Sequence, residues 1–228
     1  MRNSTKPSPT NGKRPRGRPR QYDVERALSA AADVFWTNGF AGTSLDDLAA
    51  ATGMNRPSLY AAFGDKREIY LATLRRYRDR SRAIALSLLA DDPPLRTYLR
   101  RFYSVALDIY LDDETFARGC YLTGTAATQA AVDPVVRDFL AESIRRTDAF
   151  LADLIAKARV RGEIDARADP DVLARLANSI LHTLAVRSRA GFPRNELQAL
   201  ADAAVLAICG AAPVTRGKAR GIAGTRRQ

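Results

Sequence analysis

Thr43-Ser44-Leu45-Asp46-Asp47-Leu48-Ala49-Ala50-Ala51-Thr52-Gly53-Met54-Asn55-Arg56-Pro57-Ser58-Leu59-Tyr60-Ala61-Ala62-Phe63-Gly64-Asp65-Lys66 reads as two short helices joined by a tight turn. Thr43 and Ser44 each stand three residues before an aspartate, Asp46 and Asp47, so a side-chain oxygen can satisfy an otherwise orphan N–H at the first helix start. Leu45, Leu48 and Ala49 fall on one face. Gly53 follows where the helix must stop, because glycine takes the left-handed conformation of a sharp turn at no steric cost. Asn55 caps the second helix and Pro57 sits in its first turn, where a missing N–H does no harm. Leu59 and Phe63 point inward, leaving Arg56, Ser58, Tyr60 and Ala61 facing out. Such a face, small and polar with an arginine at its N-terminal end and no long acidic side chain, can approach phosphates and base edges in a DNA major groove.

The run from Gly53 to Lys66 closely resembles the end of the DNA-binding domain of TetR-type regulators, and the likeness extends upstream through Ala31, Phe35, Gly39, Thr43 and Ala49. Residues 21–80 carry it; beyond them the chain is similar only in length and helical character. The resemblance implies that the helix after the turn enters the major groove, that Tyr60 and Lys66 contact the DNA backbone, and that Thr43, Ser44, Asn55, Arg56, Pro57 and Ser58 lie at the interface. A three-helix bundle that binds protein is the competing reading.

The net charge of +11 belongs to the ends of the chain. Residues 1–20 hold seven Lys/Arg and residues 213–228 hold five, neither with an acid; the 24 basic residues left of 36 face 25 acidic ones, so the body is at −1. Both tails are rich in Pro, Gly, Ser or Thr and lack a periodic apolar face, so they are expected to be disordered arms, at 1–20 and 212–228. Arg16, Arg18 and Arg20 lie in Arg14-Pro-Arg-Gly-Arg-Pro-Arg20, whose core resembles an AT-hook. A thin strand of this kind fits a narrow A·T minor groove, where the negative potential favours arginine. A polybasic tail that touches phosphates without sequence preference is the open alternative.

The remaining pattern is helical throughout, with no clean period-two segment, so the fold class is all-α. Asp23 caps a first helix with Ala27, Ala31 and Phe35 on its stripe. Asp65 caps a long helix to about Leu89, whose outer face carries Lys66 and Arg67 as phosphate contacts and five further arginines as a solvated surface. Within a larger helical domain, 81–211, Asp91-Asp92-Pro93-Pro94 breaks the chain before the next helix, and helices follow at about 95–111, 118–129, 134–162, 170–190 and 195–209. The resemblance implies that the last two pair across a two-fold axis to make a homodimer, and that the middle helices enclose a cavity for a small-molecule effector of unknown identity. Phe102, Tyr103, Tyr110, Phe116, Cys120, Tyr121, Phe139 and Phe150 are the candidate lining. Asn178 and His182, four apart on one helix, either orient a ligand or bond across the dimer seam.

Other classes find little footing. No apolar run approaches the roughly 18 residues of a membrane span, which fits a soluble, cytoplasmic protein. Cys120 and Cys209 are far apart, and with a single histidine no metal motif or disulfide framework arises. No phosphate loop or nucleophile elbow is present, so neither a cofactor nor an enzyme activity is expected. The expected function is a ligand-released, dimeric repressor acting on a near-palindromic double-stranded DNA operator. A sequence-tolerant architectural protein and a regulator sensing oxidants or metals through Cys120 are the alternatives.

Overall fold

The computed structural model describes residues 23–112 and 117–210, and every regular element among them is helical. The caps anticipated from sequence set the first four helices. Asp23 accepts from the Glu25 and Arg26 N–H groups and opens α1 (Val24–Asn38); Ser44 and Asp47 close a reciprocal capping box on α2 (Leu45–Thr52). Gly53 ends α2 in the left-handed region at φ 67°, Asn55 caps α3 (Arg56–Phe63), and Asp65 with Glu68 forms a second capping box on α4 (Lys66–Ser87). Each such cap is worth about 1 kcal/mol. Thr43 does not share in the capping. Its hydroxyl donates to the Gly39 carbonyl at 2.7 Å, which turns the side chain into the protein.

α5 (Leu95–Tyr110) follows the Asp-Asp-Pro-Pro break. A five-residue π-helical stretch, Leu122–Ala126, then runs into a single α-turn, α6 (Ala127–Gln129), in place of the one short helix that the sequence pattern predicts. Asp133 caps α7 (Pro134–Val160) and Asp169 caps α8 (Pro170–Arg189), both with proline in the first turn; α9 (Arg194–Cys209) closes the described chain.

Two cores organise these helices. One gathers Ala31 and Phe35 from α1, Leu48 from α2, Leu59 from α3 and Ile69, Tyr70 and Leu74 from α4. It is completed from further along the chain by Tyr121, Ala126 and Val136. The other joins α5, α7, α8 and α9 through residues such as Leu99, Tyr103, Leu151, Leu184 and Val205, all fully buried. Burial of each large aliphatic side chain contributes about 1.5–3 kcal/mol. The first half of α4 lies in the first core and its Ala85 is covered by α5, where the Tyr98 hydroxyl donates to the Ala85 carbonyl at 3.2 Å.

Candidate functional site

The outer face of α3 is open. Asn55, Arg56, Pro57, Tyr60 and Ala61 are exposed, with Tyr60 showing 49% of its surface. Ser58, expected to face out, is buried: it occupies the third helical position beside Leu59, and its N–H is taken by the Asn55 side chain at 2.9 Å. Ser58 and Thr43 therefore leave the set of exposed candidates, whereas Ser44 stays at the surface. Arg56 reaches back across the turn to Asp46, its Nε–H donating over a 2.7 Å nitrogen–oxygen distance. The guanidinium hydrogen bond holds the Asp46 carboxyl below its ordinary range. Lys66 stands with its ammonium 4.4 Å above the Phe40 ring, and partial burial lowers its pKa.

Arg67 does not reach out to phosphates as the sequence pattern predicts. Instead it makes a two-pronged ion pair with Asp133 at 2.7 and 2.9 Å, and this bond holds the Asp133 carboxyl low. The capping residue of α7 is thus tied to the start of α4. Further ties cluster on residues 118–125. The Trp36 indole N–H donates to the Arg118 carbonyl at 3.1 Å, and the Arg118 guanidinium lies over the same ring and pairs with Asp33. The Tyr70 hydroxyl donates to Thr125 at 2.8 Å, and the Thr73 and Tyr121 hydroxyls are 2.8 Å apart. Burial pushes the Tyr70 phenol up to about 12 and Tyr121 well above its usual value, so both phenols stay protonated at neutral pH.

On the other side of this segment lies a cavity of about 440 Å³ between α4, α5, α7 and α8. That volume suits a small organic molecule. Of the candidate lining, Phe102, Tyr110, Cys120 and Phe150 stand in its wall, and so do Asn178 and His182, for which a dimer seam is the other reading. Three expected residues do not. Tyr103 is fully buried in the second core with its hydroxyl on the Ala177 carbonyl, Tyr121 is fully buried in the first, and Phe139 packs against that first core beneath the Arg78 guanidinium. Phe116, with Arg16, Arg18 and Arg20, lies outside the described residues.

Asn178 is buried within the chain and donates to Asp148 at 2.7 Å, which removes it from a seam between protomers. Burial lowers the pKa of His182, only partly offset by Asp148, which favours the neutral ring. The Tyr77 hydroxyl donates to the Cys120 sulfur at 3.6 Å. Sequence reading missed the polar part of this wall: Arg78 and Arg82 from α4, and Ser143, Arg146 and Thr147 from α7. Their sequence signal is a charged residue on the same helical face as an apolar stripe, which a solvated surface shares.

A capped turn presenting α3 outward, joined to a helical body with an internal cavity, is matched by the profile of the "Bacterial regulatory proteins, tetR family" over residues 27–73 and by that of the "Tetracyclin repressor-like, C-terminal domain" over residues 96–207. The HTH-type transcriptional regulator YezE of Bacillus subtilis (strain 168) is 31% identical over 71% of this chain and 84% of its own. The chain belongs to the TetR family. The HTH-type transcriptional repressor ComR of Escherichia coli (strain K12) is 29% identical, covering 83% of this chain and 90% of its own. Among solved structures, a cysteine mutant of the TetR family regulator CifR, complexed with 26-bp double-strand operator DNA, superposes with a TM-score of 0.76 at 29% identity over 83% of this chain and 99% of that one. The TetR relatives are transcriptional regulators, and this chain is a TetR-type helix-turn-helix regulator of transcription. No described helix is long and apolar enough to cross a membrane, and no described cluster of His, Cys, Asp and Glu could hold a metal ion.

Proposed function

We propose that the protein is a homodimeric repressor that holds a near-palindromic operator with α3 in successive major grooves and leaves it when a small molecule fills the cavity. The observation that carries this reading is the pairing of an exposed α3 face with a cavity whose wall is bonded to α1 and α4. Exposed Asn55, Arg56, Pro57, Tyr60 and Ala61, flanked by Ser44 and Lys66, form the DNA contact set. Within it, Arg56 and Tyr60 supply base and phosphate contacts, and Lys66 a phosphate contact. Arms 1–20 and 212–228 add charge, and the 21–80 and 81–211 segments divide DNA binding from effector binding and dimerisation.

Dimerisation is assigned to α8 and α9. On α8, Val172, Leu176 and Val186 are exposed along one stripe, and on α9 Ala203 and Leu206 are likewise uncovered. Apolar stripes on adjacent helices are what a two-fold four-helix contact buries. Two α3 helices spaced by about 34–36 Å then read half-sites one turn of DNA apart. Ligand in the cavity bears on Cys120, Leu122 and Thr123, in the segment anchored to Trp36, Tyr70 and Thr73. About 3 kcal/mol of preference for the DNA-incompetent state gives more than hundredfold release.

The test is selection of genomic DNA on the purified protein, footprinting of the selected site, and repetition with an Arg56→Ala/Tyr60→Ala variant. A two-fold symmetric footprint abolished in the variant is expected; unchanged recognition by the variant defeats the assignment of α3. A second reading, in which Cys120 senses an oxidant or metal, draws on the thiol's place in the cavity wall beside the Tyr77 hydroxyl. Oxidant- or copper-driven release that disappears in Cys120→Ser favours it, and equal release in both proteins removes it.

A further inference from the structure

The cavity has a greasy floor and a cationic edge. Phe102, Ala106, Ile109, Leu140, Ile144 and Leu181 make the floor. At the edge stand Arg78 and Arg82, one turn apart on α4, and Arg146 on α7, two helices that are not closely packed against each other. The wall holds one carboxylate, Asp153. Arg78 and Arg146 each donate the Nε–H to an acid of their own helix, Asp79 at 3.1 Å and Glu142 at 2.7 Å, and neither guanidinium makes a further hydrogen bond among the described residues. Arg82 is exposed and forms no ion pair among the described residues.

We infer that the ligand of this cavity is an amphipathic organic anion, with an aliphatic or aromatic body on the floor and a carboxylate or sulfonate head among Arg78, Arg82 and Arg146. The inference rests on the cavity being the effector site. A cationic head would find Asp153 as its one carboxylate acceptor in the wall, against three guanidinium donors. A neutral molecule of the same shape would cover the arginines without compensating their lost water, at a cost in affinity. Two oxygens of a carboxylate or sulfonate head take two parallel N–H bonds from a guanidinium fork, the strongest pairing available there. The Arg78 guanidinium is already fixed 4.8 Å over the Phe139 ring, which limits the freedom it would lose on binding.

The experiment is isothermal titration of the full-length protein with decanoate, decanol and decylamine, followed by the same series on Arg78→Gln and Arg82→Gln. Arg82 is exposed, so its substitution leaves folding intact even if that of Arg78 does not. Decanoate should bind about tenfold or more tightly than either analogue, and each variant should lose several-fold in decanoate affinity while its decanol affinity holds. Equal binding of the three probes, no binding by any, or decanoate affinity unchanged in both variants overturns the inference. Adding the operator complex separates it from the reading beneath: decanoate that binds through the arginines yet leaves DNA bound upholds the ligand class and defeats ligand-driven release.

Discussion

Asp46 is the acidic neighbour that the α3 face carries on its edge. Its ion pair with Arg56 joins two exposed side chains, so its worth to folding is small, but it sets where the Arg56 charge points in the absence of DNA. Asp46→Asn should therefore raise affinity for non-operator duplex and steepen its salt dependence by about 0.9 in log–log slope for each further phosphate neutralised, measured by fluorescence anisotropy over a salt series. An unaltered slope would separate the pair from DNA approach. His182 gives a different kind of residue-level expectation. Burial depresses its folded pKa below 6.5, so the unfolded chain binds the proton more readily and stability falls as pH drops through that value. His182→Gln should flatten the denaturant midpoint between pH 7 and about pH 5.5 relative to the parent, and identical profiles would place the acid sensitivity elsewhere.

Among the elements, the lead-in to the π-helical stretch tolerates little change at Gly119. Gly119 sits at φ 66°, and a Cβ there would lie 2.5 Å from the Ala185 carbonyl oxygen, a backbone atom with no freedom to retreat. Gly119→Ala is expected to cost more than about 1 kcal/mol and to lower Tm by roughly 2–4 °C per kcal/mol in calorimetry. Gly124 faces the far end of the Arg189 side chain instead, and a methyl group there has a way out. Helix bounds were readable in sequence because caps are local chemistry: Asp23, Ser44, Asn55, Asp65 and Asp169 each act within three residues. Which aromatic residue faces the cavity was not, because Tyr103, Tyr110 and Tyr121 have the same character, all three are buried in the cores, and only the packing of other helices puts Tyr110 on the cavity wall as well. The same holds for Arg67, whose partner Asp133 is 66 residues away, and for the arginines of α4, which share a face with both solvent and cavity.

At the scale of the whole molecule, the exposed aliphatic stripe and the basic arms make separable predictions. Leu176→Asp with Val186→Asp introduces charge on the proposed two-fold contact without touching either core, and sedimentation should show monomer with loss of operator binding. A variant that stays dimeric moves the interface off α8. Deleting residues 1–20 removes seven positive charges and should reduce the salt slope of DNA binding by about 0.9 for each phosphate that the arm no longer neutralises; an unchanged slope denies the arm a part in binding. The ties between cavity wall and α1 have a practical corollary. Trp36 is the single indole of the chain, held by Arg118 and ringed by Tyr77 and Tyr121 beside Cys120. Its emission colour and lifetime should register any loosening of that junction, so the protein carries its own optical gauge of signal passage, readable in solution with neither dye nor label.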